Sequence, residues 1–349
     1  MRWLLLPLAL LYGIGVTVHR FLYASGIIQP IQFSLPILSV GNLSVGGSGK
    51  TPQVEYLVRF LRRYLIVGVL SRGYSRKSTG FFWVSPYSSV EEVGDEPLQI
   101  KRRFPEIPVA VCENRVGGVS EMVADQPDLQ VLLLDDAFQH RAILPLLDIV
   151  LTPYHAPFFR DYLLPVGRLR EGRSASKRAD ILIVSQCPDP FTPAMRDDFL
   201  EQLQPLPQQR VYFSTYAYGR PYHILNPDVL LPEGPWPAVL LVTGIARVEH
   251  LEAFLRPQVV ELAHRIYEDH HYYSLYELGI IQRQWENLNG GKGIVLTTEK
   301  DASRLLLHGK TLADLSMPVY VLPVETCFLD EDGEAFQAQL RQSLLDFRS

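Results

Sequence analysis

The 349-residue chain predicts an α/β fold: a mostly parallel sheet with helices on both faces, a second, smaller α/β domain, and an apolar helix at the N-terminus. Three observations carry this prediction. Short apolar runs alternate with stretches of helical period, the texture of βαβ units. The runs do not alternate apolar with polar residues, so their strands are expected to be covered on both faces. A glycine-rich turn joins the first of these runs to the first amphipathic stretch, as in phosphate-binding α/β proteins.

The first element is the compositional outlier. Trp3 to Val18 (WLLLPLALLYGIGVTV) holds no charged residue, with Arg2 before it and His19-Arg20 after. As a helix it reaches about 24 Å, short of a ~30 Å hydrocarbon core. A signal peptide, a membrane span, an interfacial helix and an ordinary core helix compete for it. The core is assigned to residues 27–205. Its strand-like runs are Pro36–Val40, Leu65–Leu70, Val109–Cys112, Val131–Leu134, Ile149–Thr152 and Ile181–Val184. A helix is expected over Thr51–Arg63, where Val54, Leu57, Val58 and Leu61 share one face. Prolines recur from Pro188 to Pro237, so residues 206–236 read as a linker, with a hairpin around Val211–Tyr218 and Tyr222–Ile224. Residues 237–349 form the second α/β series, with strands Ala238–Thr243, Gly293–Thr298 and Val319–Leu322 and a helix near Glu249–Leu255.

Apolar residues make up 47% and charged residues 20%, enough for a buried core and against disorder. A net charge of −5 argues against a nucleic-acid partner. The basic run Arg168–Arg178 reads as a solvated loop or as a surface meeting phosphates or anionic headgroups. Cys112, Cys187 and Cys327 are far apart and lack CxxC spacing, which excludes a disulfide framework and a thiolate zinc site and fits a reducing compartment.

The chemistry begins at ILSVGNLSVGGSGKTP, residues 37–52. Phosphate oxygens need several backbone N–H donors converging on one point, and glycines let the chain wrap that closely. Ser44, Val45, Gly46, Gly47, Ser48, Gly49, Lys50 and Thr51 are the candidate nucleotide cradle, with Ser44 standing where the P-loop consensus has its first glycine. Lys50 is placed to reach the β- and γ-phosphates, and the Thr51 hydroxyl to ligate Mg²⁺. The expected fold is therefore of the P-loop NTPase type. Since ATP is a cytoplasmic resource, residues 1–26 are assigned to a helix that associates with a membrane from its cytoplasmic side.

VLLLDDAFQHR (131–141) is a strand ending in carboxylates, the Walker-B arrangement, and makes Asp135 and Asp136 the metal-side acids. Three polar strings fall where loops at the carboxyl edge of the sheet should be: Ser71–Tyr74 (SRGY), Gly94–Pro97 (GDEP) and Leu164–Glu171 (LPVGRLRE). GDEP also suits a helix start. In Tyr267–Tyr272 (YEDHHY), paired histidines are more often structural and no Glu or His at metal spacing supports a zinc site, but an Asp-His pair could also serve proton transfer. Thr298–Asp301 (TEKD) reads as a helix start capped by Thr298.

The ordered set GNLSVGGSGKTP, SRGY, GDEP, LLDDAFQHR, LPVGRLRE, TGIA (243–246), DHH and TEKD resembles the tetraacyldisaccharide 4'-kinase family, the lipid A 4'-kinases of Gram-negative bacteria. The resemblance implies transfer of the ATP γ-phosphoryl group, with Mg²⁺, to the 4'-hydroxyl of a tetraacyl glucosamine disaccharide 1-phosphate. It implies Asp95 as catalytic acid–base, His270 as its partner (His271 stays open), Lys50 on the phosphates, and Arg170 and Glu171 near the nucleotide. It also implies an acylated lipid substrate, the cytoplasmic face of the inner membrane, and no required protein partner. Bottom-up chemistry agrees: a sugar hydroxyl has a high pKa, and a positioned acceptor for its proton helps transfer. The rival is a P-loop ATPase or GTPase acting as a membrane-associated switch, for which GDEP and DHH would be structural only. A GTPase is disfavoured, since SQCPDP rather than an NKxD-like guanine reader follows Ile181–Val184.

Overall fold

The computed structural model describes residues 2–245 and 247–347, so Ala246, the last residue of TGIA, lies outside it. All six strands expected in the core form. They run as Ile37–Asn42, Val67–Ser71, Val109–Val111, Val131–Asp135, Leu147–Pro153 and Ile181–Ser185. They are parallel, and Ile37–Asn42 lies between Val131–Asp135 and Leu147–Pro153. The chain therefore leaves its first strand at the point where strand order reverses, the place where open α/β sheets bind ligands. Both faces are covered: Leu38, Val40, Val69, Leu133 and Ile149 are fully buried on one face, and Leu70, Leu132 and Val150 on the other.

A second, six-stranded sheet has the order Asn226–Leu230, Tyr222–His223, Val319–Leu322, Ile294–Thr298, Trp236–Thr243 and Val259–Ile266. Its last four strands are parallel, and the outer two join antiparallel. The helices Glu249–Leu255, Leu275–Asn287, Glu299–Leu305 and Gly309–Asp314 serve this sheet. Their starts are written locally. Ser274 and Glu277 form a reciprocal capping box, and Thr298 Oγ1 accepts from the Asp301 N–H at 3.2 Å, the cap expected of TEKD.

The two sheets do not divide where the prolines suggest. Arg210–Tyr218 pairs in parallel with Ile181–Ser185, Val324–Phe328 pairs antiparallel with Arg210–Tyr218, and at the other edge Phe82–Trp83 pairs antiparallel with Val109–Val111, which brings the first sheet to nine strands. The hairpin expected between Val211–Tyr218 and Tyr222–Ile224 does not form, because Tyr222–His223 pairs with Val319–Leu322 instead. The helix Asp332–Asp346 likewise returns to the first sheet, burying Phe336 and Leu340 in its core. Burial decides this: Phe213 and Tyr212 need a covered face, which a free linker would not provide.

The N-terminal helix Leu6–Ala24 follows a short 3-10 turn, Arg2–Leu5. It buries none of its residues, yet it is tied to the core. Tyr12 donates to the Arg170 carbonyl at 2.8 Å, Arg20 to Ser174 Oγ at 3.1 Å, and Arg141 to the Arg20 carbonyl at 3.1 Å. Leu10, Ile14, Val18 and Phe21 remain exposed.

Candidate active site

A cavity of about 1200 Å³ opens between the two sheets, walled by the glycine-rich loop, the N-terminal helix and the second unit. The loop has the local chemistry of an anion cradle. Gly46 and Gly49 adopt φ of 108° and 83°, a left-handed region that strains other side chains. A Cβ at Gly49 would also meet the Tyr216 hydroxyl at 2.9 Å. The helix Lys50–Leu61 starts at Gly49 with no side-chain cap, so its first N–H groups are left for an incoming anion. The loop is braced from behind: Ser185 donates to the Ser48 carbonyl at 2.8 Å, Gln186 to the Gly47 carbonyl at 3.0 Å, and Asn42 to Ser48 Oγ at 2.8 Å.

Of the expected cradle, Val45, Gly46, Gly47, Ser48, Gly49, Lys50 and Thr51 line the cavity, and Arg170 and Glu171 line it from the facing loop. Ser44 does not. Its backbone bridges to Leu169, and with the Val45 N–H donating to the Arg168 carbonyl at 2.8 Å it fastens the loop to that neighbour. Arg170 donates to both oxygens of Asp136 at 2.8 and 2.9 Å, and Lys50 lies 3.6 Å from the same carboxylate. Two cations thus converge on one point. Burial raises the Asp136 pKa, but Lys50 and Arg170 outweigh it and hold the group below its ordinary value. The basic run is partly paired, Arg168 with Asp161 and Arg178 with Glu171, while Arg173 and Lys177 stay exposed.

Asp135 ends its strand fully buried, while Asp136, at φ 49°, turns toward the cavity, so the adjacent acids diverge. Ser71 donates to Asp135 Oδ2 at 3.1 Å, and Oδ1 has no partner. Burial, then Glu96 and Asp136, push Asp135 up to about 7, against Lys50 and Ser71. A buried carboxylate oxygen left without a partner fits a hard dication. Among the described residues no group of three or more His, Cys, Asp or Glu is arranged to hold a metal alone. Mg²⁺ usually relies on one or two carboxylates together with phosphates and water, so this donor set suits it.

Across the cavity the second unit delivers its pair. His270, at φ 61°, sets Nδ1 3.0 Å from Asp95 Oδ2, while His271 Nε2 turns away to Glu277 at 2.9 Å. Asp95 opens the helix Asp95–Arg103 and is 3% exposed, so GDEP is both a helix start and a partner of DHH. Burial would raise Asp95, but the His270 hydrogen bond and the charges of Lys300 and Arg304 bring it down to about 2. Tyr74 of SRGY lies against the His270 ring, with centroids 5.3 Å apart.

Several lining residues escape the sequence reading. Tyr216 comes from the stretch taken as linker and hairpin, and Lys300 from the string TEKD, read first as a helix start with no role assigned to the lysine. Arg115, buried, donates to the Asp135 carbonyl at 2.8 Å. It follows the strand Val109–Val111 at the carboxyl edge, the position that signals the other loops. His140, held down to about 4 by burial and by Arg115 and Arg72, is a neutral group in the wall.

Comparison with known proteins follows this geometry. The family model described as tetraacyldisaccharide-1-P 4'-kinase matches residues 1–345. The tetraacyldisaccharide 4'-kinase of Phocaeicola vulgatus is 39% identical over 344 residues, 97% of this chain and 94% of that protein. That of Bacteroides thetaiotaomicron is 38% identical, covering 97% and 92%. A crystal structure of LpxK from Aquifex aeolicus in complex with ATP superposes with a TM-score of 0.74 at 28% identity, covering 98% of this chain and 99% of that one. A match that runs from the apolar helix through the glycine-rich loop to the returning C-terminal helix leaves one conclusion: the chain belongs to the tetraacyldisaccharide-1-P 4'-kinase family.

Proposed function

We propose that this chain transfers the γ-phosphoryl group of ATP to the 4'-hydroxyl of a tetraacyl glucosamine disaccharide 1-phosphate, working on the cytoplasmic face of the inner membrane. The observation that carries the reading is an uncapped, cation-flanked helix start facing His270 across one cavity, with Asp95 buried behind that imidazole and bonded to it across the two units. A hydrolytic switch has no use for the second feature. Membership of the kinase family and the ATP complex of the Aquifex relative support the same donor and acceptor.

In this account the N–H groups of residues 46–51 and the Lys50 ammonium bind the triphosphate, and Arg170 adds a second cation. Thr51, Asp135 and Asp136 would hold Mg²⁺, which when bound supplies charge neutralisation at the phosphates. The sugar oxygen attacks the γ-phosphorus, the bond to the β-phosphate oxygen breaks, ADP leaves, and the hydroxyl proton passes to Asp95. His270 orients that carboxylate. Closing the second unit over the cavity excludes the water that would otherwise compete.

The N-terminal helix fits an interfacial role. It is apolar, with mean hydropathy 1.3 over its length, and its outer face is uncovered. Its inner face, with Tyr12 and Val16, borders the same cavity. An acylated substrate that stays in the bilayer, at about 0.8 kcal/mol per CH₂ otherwise exposed, would reach the site along it.

The test is to supply ATP labelled at the γ-phosphate together with Gram-negative total lipid. Label is expected in a glycolipid. Label released only as inorganic phosphate would favour the switch instead.

A further inference from the structure

We infer that Lys300 is a positioning residue that fixes the tautomer of His270, so that the imidazole holds Asp95 without competing for the proton. This rests on the proposed reaction for its consequence, though not for its geometry. Lys300 Nζ lies 3.1 Å from His270 Nε2 and 3.1 Å from Asp269 Oδ1, with Glu96 Oε1 at 3.9 Å. An ammonium has three donors and no lone pair. Nε2 must therefore be the acceptor, the ring is neutral, and its proton sits on Nδ1, the atom facing Asp95 Oδ2 at 3.0 Å. Burial works against the Lys300 charge, but Glu96, Asp95 and Asp269 keep its pKa above the ordinary value, so the donor stays charged.

The consequence is directional. With Nε2 occupied, His270 can take a second proton only by setting an imidazolium against an ammonium. The groups around the ring bear on this: Asp95 from its helix, Asp269 beside it in the chain, Lys300 from the helix Glu299–Leu305 with Glu96 on its far side, and Tyr74, its ring tilted 52° to the imidazole. Arg304 reaches the shared oxygen of Asp95 at 3.5 Å. Asp95 therefore accepts the substrate proton as an ionised carboxylate held by His270 and Arg304. Lys300 also couples this pair to the second unit, because its helix starts at the Thr298 cap.

The test uses the full chain with ¹⁵N-labelled histidine, the His270 signals being assigned by their loss in His270→Gln. The wild-type ring is expected to be protonated at Nδ1 alone from pH 6 to 8. In Lys300→Met it is expected to gain Nε2–H or to become doubly protonated at the acid end, and Lys300→Arg restores the wild-type pattern. Turnover of Lys300→Met should fall about tenfold, a fraction of the ~10²–10⁴ that positioned acid–base help supplies. That loss should deepen toward pH 6, with KM for ATP unchanged. An Nε2–H tautomer in the wild type, or an unaltered tautomer in a folded Lys300→Met, overturns the inference. If the wild type transferred no phosphate to the glycolipid, the proposed function would fail while the ring assignment stood, so the two failures are distinguishable.

Discussion

At Asp95 two opposing effects meet, and their balance decides what the residue can do. A carboxylate 3% exposed should be hard to ionise, yet the His270 hydrogen bond and the nearby Lys300 and Arg304 bring its pKa to about 2. It is charged throughout the physiological range, and its stabilising contribution is lost only as pH falls from about 4 toward 2. Its chemistry lies in position more than in basicity. Asp95→Asn keeps the shape and removes the acceptor, and is expected to lower kcat by about 10²–10⁴. KM for ATP should stay within twofold or so, because Asp95 touches no part of the glycine-rich loop. Steady-state kinetics at saturating lipid measures this, and wild-type turnover would remove the residue from the mechanism.

Among the elements, the N-terminal helix makes the clearest claim. Its hold on the core runs through polar contacts of Tyr12 and Arg20, while Leu10, Ile14 and Phe21 stay uncovered. Removing residues 2–24 should therefore cut sedimentation with phospholipid vesicles sharply while leaving ATP binding intact. Equal sedimentation would refute the interfacial role. The sequence made some elements legible and others not, for physical reasons. Both-face burial produces unbroken apolar runs, so the six parallel core strands can be read from residues such as Leu132–Leu134 and Ile181–Val184. The strand Arg210–Tyr218 was legible as the first arm of a hairpin, but its true partners were not, because they lie at Ile181–Ser185 and Val324–Phe328, a pairing that no local pattern encodes. In the site, the loop and Asp135-Asp136 announce themselves by spacing. Bottom-up spacing could nominate Asp95 and His270 only as candidates, since 175 positions separate them and the contact is made by packing two units together. Lys300 was hidden by a sound local explanation, the Thr298 cap, which the structure also contains.

Over the whole molecule, one buried ionic cluster ties the two units together. Arg103 donates to Glu55 at 2.6 Å, to Glu299 at 3.3 Å and to the Val324 carbonyl at 3.0 Å, and it also meets Glu325, which Arg59 holds at 2.7 Å. The cluster links the helix that follows the glycine-rich loop, the helix that begins at Asp95 and the helix that carries Lys300. Three carboxylates share two guanidinium groups, so one of them resists ionisation. Burial, with the nearby Glu299 charge, pushes Glu55 up to about 7 against the pull of Arg103. A raised carboxyl pKa means the folded state binds the proton more tightly, so this contribution is full below about 4.5 and fades as pH rises through about 7. The wild-type melting temperature should thus decline from pH 5.5 to 8 more steeply than that of Glu55→Gln, which mimics the protonated form. Parallel slopes would contradict the assignment.

The central claim is that the cavity between the units hands phosphate to an alcohol and not to water. Its most direct measurement is the ³¹P spectrum of a purified tetraacyl disaccharide 1-phosphate after incubation with this protein, ATP and Mg²⁺. The account predicts a second phosphomonoester resonance coupled to the 4' proton of the distal sugar, growing in step with ADP. ADP and free phosphate accumulating beside an unchanged lipid spectrum would contradict it.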